Sequence, residues 1–221
     1  MNVLDELGKL YGTGKSSEVH NFCEKYDKYL PFKRYDKIKI LEIGVLNGQS
    51  LKMWKDWYIN CKIVGIDIDE NCKTHENDGN SIFVEIGSQT DKSFLLNVTR
   101  KYGDFDLIID DGSHINSNVI FSFEILFDQL KSGGVYVVED SFTSYLEDFG
   151  GGYLKENSIM EYFKKLSDDI NFRGLLNHDV PHLYSRAENY LIDLSKEVQP
   201  DCRVDVESIN FLNGIIIVTK R

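Results

Sequence analysis

Basic residues are the scarcer charge in this chain: 25 Lys and Arg stand against 36 Asp and Glu, for a formal net charge of −11. A surface of that sign excludes sequence-independent binding to nucleic acid or to anionic membranes, both of which need a basic face. Long apolar runs are absent, so no segment reads as a membrane span. The first residues (Met-Asn-Val-Leu-Asp-Glu-Leu) lack the basic start and apolar stretch of a secretory leader, and the expected location is cytoplasmic. Cysteines fall at 23, 61, 72 and 202 with no C-x-x-C pair, which argues for four reduced thiols rather than two disulfides. The dinucleotide fingerprint G-x-G-x-x-G is missing as well.

What is present is an alternation of short apolar runs and amphipathic segments. Val19, Phe22, Cys23, Tyr26 and Leu30 fall at helical spacing before Pro31. Strands are predicted at Ile38–Ile43, Lys62–Ile68, Ile82–Ile86, Phe105–Asp110 and Val135–Glu139, with Gly133-Gly134 as the turn before the last. Helices are predicted at Gln49–Tyr58, Phe94–Lys101 and Asn118–Leu130. Continuously apolar strands separated by helices imply a mostly parallel, doubly wound sheet covered on both faces. Near the end, Val204–Phe211 and Ile215–Thr219 flank Asn213-Gly214, a hairpin signal that closes the sheet with antiparallel strands, seven in all. The chain reads as one α/β domain over 1–221, with N-terminal helices in 1–31. Residues 142–200 break the pattern and read as an insertion that leans over the sheet's carboxyl edge as a lid, with Gly150-Gly151-Gly152 set among aromatics.

Two strand ends carry the chemistry. Asp-Leu-Ile-Ile-Asp-Asp-Gly-Ser-His at 106–114 offers Asp110, Asp111 and His114, and Val-Tyr-Val-Val-Glu-Asp at 135–140 offers Glu139 and Asp140. Open α/β sheets bind ligands outside the carboxyl ends of their strands. Several carboxylates and an imidazole at neighbouring tips suit a hard cation with a base beside it. Capping of a turn by Asp110 or Asp111 is the competing account. Earlier, Leu41-Glu42-Ile43-Gly44 leads through Gly48 into a helix whose N-terminus includes Ser50. An acidic residue such as Glu42 repels pyrophosphate and suits a cationic amine, which favours a cofactor with an amino-acid group, such as S-adenosylmethionine, over NAD. Asp67 at the second tip suits two ribose hydroxyls, and Ser88 and Gln89 after the third border an adenine ring in this reading.

These motifs resemble the class I S-adenosylmethionine-dependent methyltransferases. The chain looks most like the metal-dependent macrocin and mycinamicin sugar O-methyltransferases and the related cephalosporin-tailoring proteins. The resemblance runs through Tyr11-Gly-Thr-Gly-Lys15, Leu41–Gly44, Gly65-Ile-Asp67, Asp110–His114, Gly133 to Asp140 and the terminal hairpin. Gly14 and Ser88 depart from it, since the family usually has Asp at both places. The resemblance implies Asp111, Glu139 and Asp140 as ligands of a divalent cation, usually Mg2+, and His114 as general base. It implies Thr13, Glu42, Gly44, Gly48, Ser50, Asp67, Ser88, Gln89 and Asp110 on the cofactor side. The function so implied is a magnesium-dependent transfer of a methyl group to a hydroxyl of a sugar or glycosylated metabolite, by a homo-oligomer acting on small molecules. A non-sugar diol or antibiotic intermediate as acceptor, and a dinucleotide-dependent oxidoreductase, are the alternatives.

Overall fold

A computed structural model describes residues 2–177 and 205–221. Two N-terminal helices, α1 (Val3–Tyr11) and α2 (Phe22–Tyr29), precede β1 (Lys39–Ile43), α3 (Gln49–Trp57), β2 (Lys62–Asp67) and β3 (Ile82–Ile86). Then come α4 (Lys92–Tyr102), β4 (Phe105–Asp110), α5 (Asn116–Leu126), β5 (Leu130–Glu139), α6 (Ile159–Asn177), β6 (Val206–Leu212) and β7 (Ile215–Lys220). The seven strands lie in the order β3-β2-β1-β4-β5-β7-β6. The first five are parallel and β7 runs antiparallel to both neighbours, as the Asn213-Gly214 signal predicts. Among the described residues, no helix is long and apolar enough to cross a membrane.

Local chemistry sets the helix ends. Asn2 caps α1 through the Asp5 N–H, and Asp91 caps α4 through the N–H groups of Ser93 and Phe94. The helical spacing read from Val19 to Leu30 overruns the helix, because tight turns over residues 13–21 come before α2. Gly133-Gly134 is no free turn: β5 starts at Leu130, and a register shift against β4 absorbs the two glycines.

Pleat alternation sorts the core into two layers. Ile40 of β1, Leu107 and Ile109 of β4, and Val135 and Val137 of β5 face α1, α2 and α3, packing with Leu4, Tyr26 and Trp54. Leu41, Ile43, Ile108, Tyr136 and Val138 face the other way, with Leu95, Phe123 and Phe163. Each fully buried Leu or Ile among them contributes roughly 1.5–3 kcal/mol. The strand order reverses between β1 and β4, where Ile43 pairs with Asp110. The crevice beyond that pair is where a doubly wound sheet receives its ligand.

Candidate active site

The loop after β1 begins at Gly44, whose N–H bonds the Ile66 carbonyl at 2.9 Å while the Asp111 N–H bonds the Ile43 carbonyl at 3.0 Å. These bonds lash the tips of β1, β2 and β4 together. Gly44 sits at φ +93, and a Cβ there would overlap the Asp111 carbonyl oxygen. Only glycine lets the two tips approach this closely.

A cavity of about 560 Å³ opens over this edge. Thr13, Gly44, Ser50, Asp67, Ser88 and Gln89 line it on one side, with Asp111, His114, Glu139 and Asp140 on the other. Asp67 accepts from the N–H groups of Val45 (2.8 Å), Leu46 (3.1 Å) and Asp69 (3.0 Å). Burial alone would raise its pKa, but these donors overcome it and hold the carboxyl below its ordinary value. Gln89 brackets two loops, accepting from the Ser113 N–H at 2.8 Å and donating to Asp110 at 3.3 Å.

Three expected cofactor residues lie elsewhere. Asp110 does not line the cavity: it is 1% exposed and turns to the opposite layer, accepting from Ser122 at 2.5 Å and from Tyr136 at 3.2 Å. Burial pushes its carboxyl up to about 6. It anchors the loop from beneath. Gly48 is absent from the lining too; its positive φ and the His75 ring, 2.7 Å from where a Cβ would stand, account for the glycine. Glu42 is fully buried below the cavity floor, with Lys15 Nζ 3.1 Å from its Oε1. Lys15 faces one of its oxygens, neither oxygen has a hydrogen-bond partner among the described residues, and Glu42 does not line the cavity.

The acidic corner is built from two backbones held in the left-handed region, His114 at φ 57 and Asp140 at φ 49. Neither is glycine, so each conformation costs about 1–2 kcal/mol that packing must offset. One ligand atom from each of Asp111, His114 and Asp140 lies within 4.8 Å of the others. His114 Nε2 is 3.8 Å from Asp111 Oδ1. Among the described residues, Asp140 Oδ1 and His114 Nδ1 are buried with no hydrogen-bond partner. Burial raises the Asp140 pKa, and only partly do His114 and His20 pull it back. A buried oxygen without a donor, beside a second carboxylate and an imidazole, fits a divalent cation.

Glu139, the third expected cation ligand, already has partners. It lines the cavity, but its Oε2 accepts from Lys15 at 2.8 Å and its Oε1 accepts from the Tyr26 hydroxyl. It therefore stands outside the cluster of Asp111, His114 and Asp140. Sequence reasoning missed Lys15 and Tyr26 as site residues. The only signal was Lys15 in the Tyr-Gly-Thr-Gly-Lys run, which carries no chemistry until folded against the strand tips.

The insertion expected at 142–200 is described only to residue 177; His178, His182 and the rest of it lie outside the described residues. Some of its described residues are closely packed. Gly151 has the Ser144 carbonyl where a Cβ would stand, and Ile159 and Phe163 of α6 are fully buried. Phe142, Tyr145 and Tyr153 remain exposed.

No family model matches the chain. It is 40% identical over 155 residues to the mycinamicin VI 2''-O-methyltransferase of Micromonospora griseorubida, covering 67% of this chain and 38% of that protein. It is 38% identical over 180 residues to the L-olivosyl-oleandolide 3-O-methyltransferase of Streptomyces antibioticus, covering 76% and 46%. Among solved structures, the MycE methyltransferase of the mycinamycin pathway, in complex with Mg and SAH, superposes with a TM-score of 0.80 at 31% identity, over 98% of this chain and 53% of that one. The chain spans about half, or less, of the length of the relatives it matches. Sheet order, strand-tip chemistry and these identities agree: the chain belongs to the class I S-adenosylmethionine-dependent methyltransferases, of the mycinamicin and macrocin O-methyltransferase type.

Proposed function

We propose that this chain carries the catalytic domain of a magnesium-dependent O-methyltransferase that moves a methyl group from S-adenosylmethionine to a hydroxyl of a sugar or glycosylated metabolite. The observation that carries this reading is the meeting of Asp111, His114 and Asp140 at the end of a cavity walled by the Gly44 loop, Asp67 and Gln89. The relatives' names supply the acceptor class.

On this reading the Gly44 loop, Asp67 and Ser88-Gln89 hold the cofactor, and Asp111, Glu139 and Asp140 hold the cation. Both Glu139 oxygens are engaged by Lys15 and Tyr26, so ligation by Glu139 requires one of those bonds to be exchanged. A divalent cation held there would supply Lewis acidity, making the acceptor hydroxyl easier to deprotonate. Asp111 and Asp140 orient the acceptor through their fixed backbones. His114 takes the proton from the attacking oxygen at Nε2, the nitrogen that faces the two carboxylates. The protein's remaining work is in-line positioning, since the cofactor's methyl group is already activated.

Calorimetry tests the cofactor half: S-adenosylhomocysteine binds and NADH does not. A chelator then stops methyl transfer to a glycosylated acceptor, and Mg2+ restores it. Binding of NADH without S-adenosylhomocysteine overturns the reading, as does transfer indifferent to chelator.

A further inference from the structure

The acidic corner already contains a cation. Lys15 is 2% exposed, and its ammonium lies 2.5 Å from Asp111 Oδ2, 2.8 Å from Glu139 Oε2 and 3.1 Å from Glu42 Oε1. These acids come from the tips of β4, β5 and β1, and the pleat brings all three to the layer that faces α1 and α2. The ammonium reaches them from a fixed anchor. The Lys15 carbonyl accepts from the N–H groups of both Phe22 and Cys23 at 2.9 Å, at the first turn of α2.

We propose that Lys15 is a positioning residue, the resident counter-ion that holds Glu42, Asp111 and Glu139 together before any ligand arrives and turns Asp111 so that its other oxygen faces His114 and Asp140. The counter-ion role stands on the geometry alone. Its extension to a divalent cation, which shares Asp111 and Glu139 with the ammonium, rests on the function proposed above. Asp111 divides its oxygens accordingly, Oδ2 to Lys15 and Oδ1 toward His114. Without the ammonium, the buried Glu42 and Glu139 and the half-buried Asp111 would meet with no lysine or arginine among them, an arrangement that destabilises a fold. A divalent cation is then a source of positive charge beyond the imidazoles of His114 and His20, which face Asp111 and Asp140.

Thermal unfolding of the full chain tests this, in chelator and with Mn2+ as the only added cation, on wild type, Lys15→Met, Glu139→Gln and the double variant. In chelator, Lys15→Met lowers Tm by roughly 10 °C. Adding Glu139→Gln to it recovers a large part of that loss, because the second change removes one of the unpaired charges. Mn2+ raises Tm several times more in Lys15→Met than in wild type. Additive effects of the two substitutions overturn the proposal, since a lysine that only fills space has no reason to couple to the charge of Glu139. Equal Mn2+ shifts in wild type and Lys15→Met overturn its cation-sharing half. If Lys15→Met does not fold in chelator, a folded double variant supports the counter-ion role, and an unfolded one overturns it. If Mn2+ shifts none of the proteins while the chelated cycle still couples, the metal in the proposed function falls and the counter-ion stands.

Discussion

The Nε2 atom of His114 lies 3.6 Å from Oδ2 of Asp140, and both residues hold left-handed backbone conformations that only the surrounding loops make tenable. Strain and chemistry coincide at one pair of residues, as expected where a site rather than the fold dictates residue type. Replacing His114 by glycine removes the imidazole and relieves its positive φ. The variant is expected to lose methyl transfer by at least about a hundredfold. Its unfolding free energy should rise by about 1 kcal/mol. Calorimetric affinity for S-adenosylhomocysteine stays within about twofold, because the imidazole acts on the acceptor. Retained transfer would remove His114 from the role of base.

Gly44→Ala acts at the cofactor end. The added Cβ overlaps the Asp111 carbonyl and must also occupy φ +93, so the β1 and β4 tips separate. The expected result is a loss of roughly tenfold or more in S-adenosylhomocysteine affinity, about 1.4 kcal/mol, measured by calorimetry. Unchanged affinity would mean that this close approach is unrelated to cofactor binding.

Asn116, 2% exposed at the start of α5, fastens the segment after β5. Its Nδ2 donates to the Thr143 carbonyl at 3.2 Å and to the Phe149 carbonyl at 2.8 Å, and its Oδ1 accepts from the Ile159 N–H at 2.6 Å. Asn116→Ala leaves buried backbone groups unpaired on both sides of residues 143–159. Urea unfolding should show a loss of about 3 kcal/mol. A loss below about 1 kcal/mol would show that water replaces the amide.

Asp67 gives the acid limb of stability a specific cause. Its folded pKa lies below the ordinary 3.8, so the unfolded chain takes up the proton first as pH falls. The stabilisation is complete above that value and is lost as pH drops through the folded pKa. Asp67→Asn, which cannot ionise, is expected to be less stable than wild type at pH 7, and the gap should narrow below about pH 4. Denaturant titrations across pH 3 to 7 read this directly; a gap independent of pH would show that the carboxylate's charge contributes nothing.

Five parallel strands, the closing hairpin and the two acidic tips follow from local pattern. Apolar runs bounded by Gly, Asp and Asn must become strands that end there, and Asn213-Gly214 turns β6 into β7 whatever surrounds it. The division of labour between adjacent acids does not follow locally. Asp110 and Asp111 are neighbours in sequence, but successive residues of a strand point to opposite layers, and which layer holds the cavity depends on where the helices pack. Packing sends Asp110 to Ser122 and Tyr136 and leaves Asp111 at the cavity. Lys15 is the extreme case: it meets acids 96 and 124 residues away, so no window of sequence contains the interaction. The sequence by itself determined the strands, their acidic ends and the family resemblance, because these depend on periodicity and residue type. Only the tertiary structure decided that Glu42, Asp111 and Glu139 share one buried lysine, because burial and long-range charge pairing exist only once the N-terminal helices are packed on that face of the sheet.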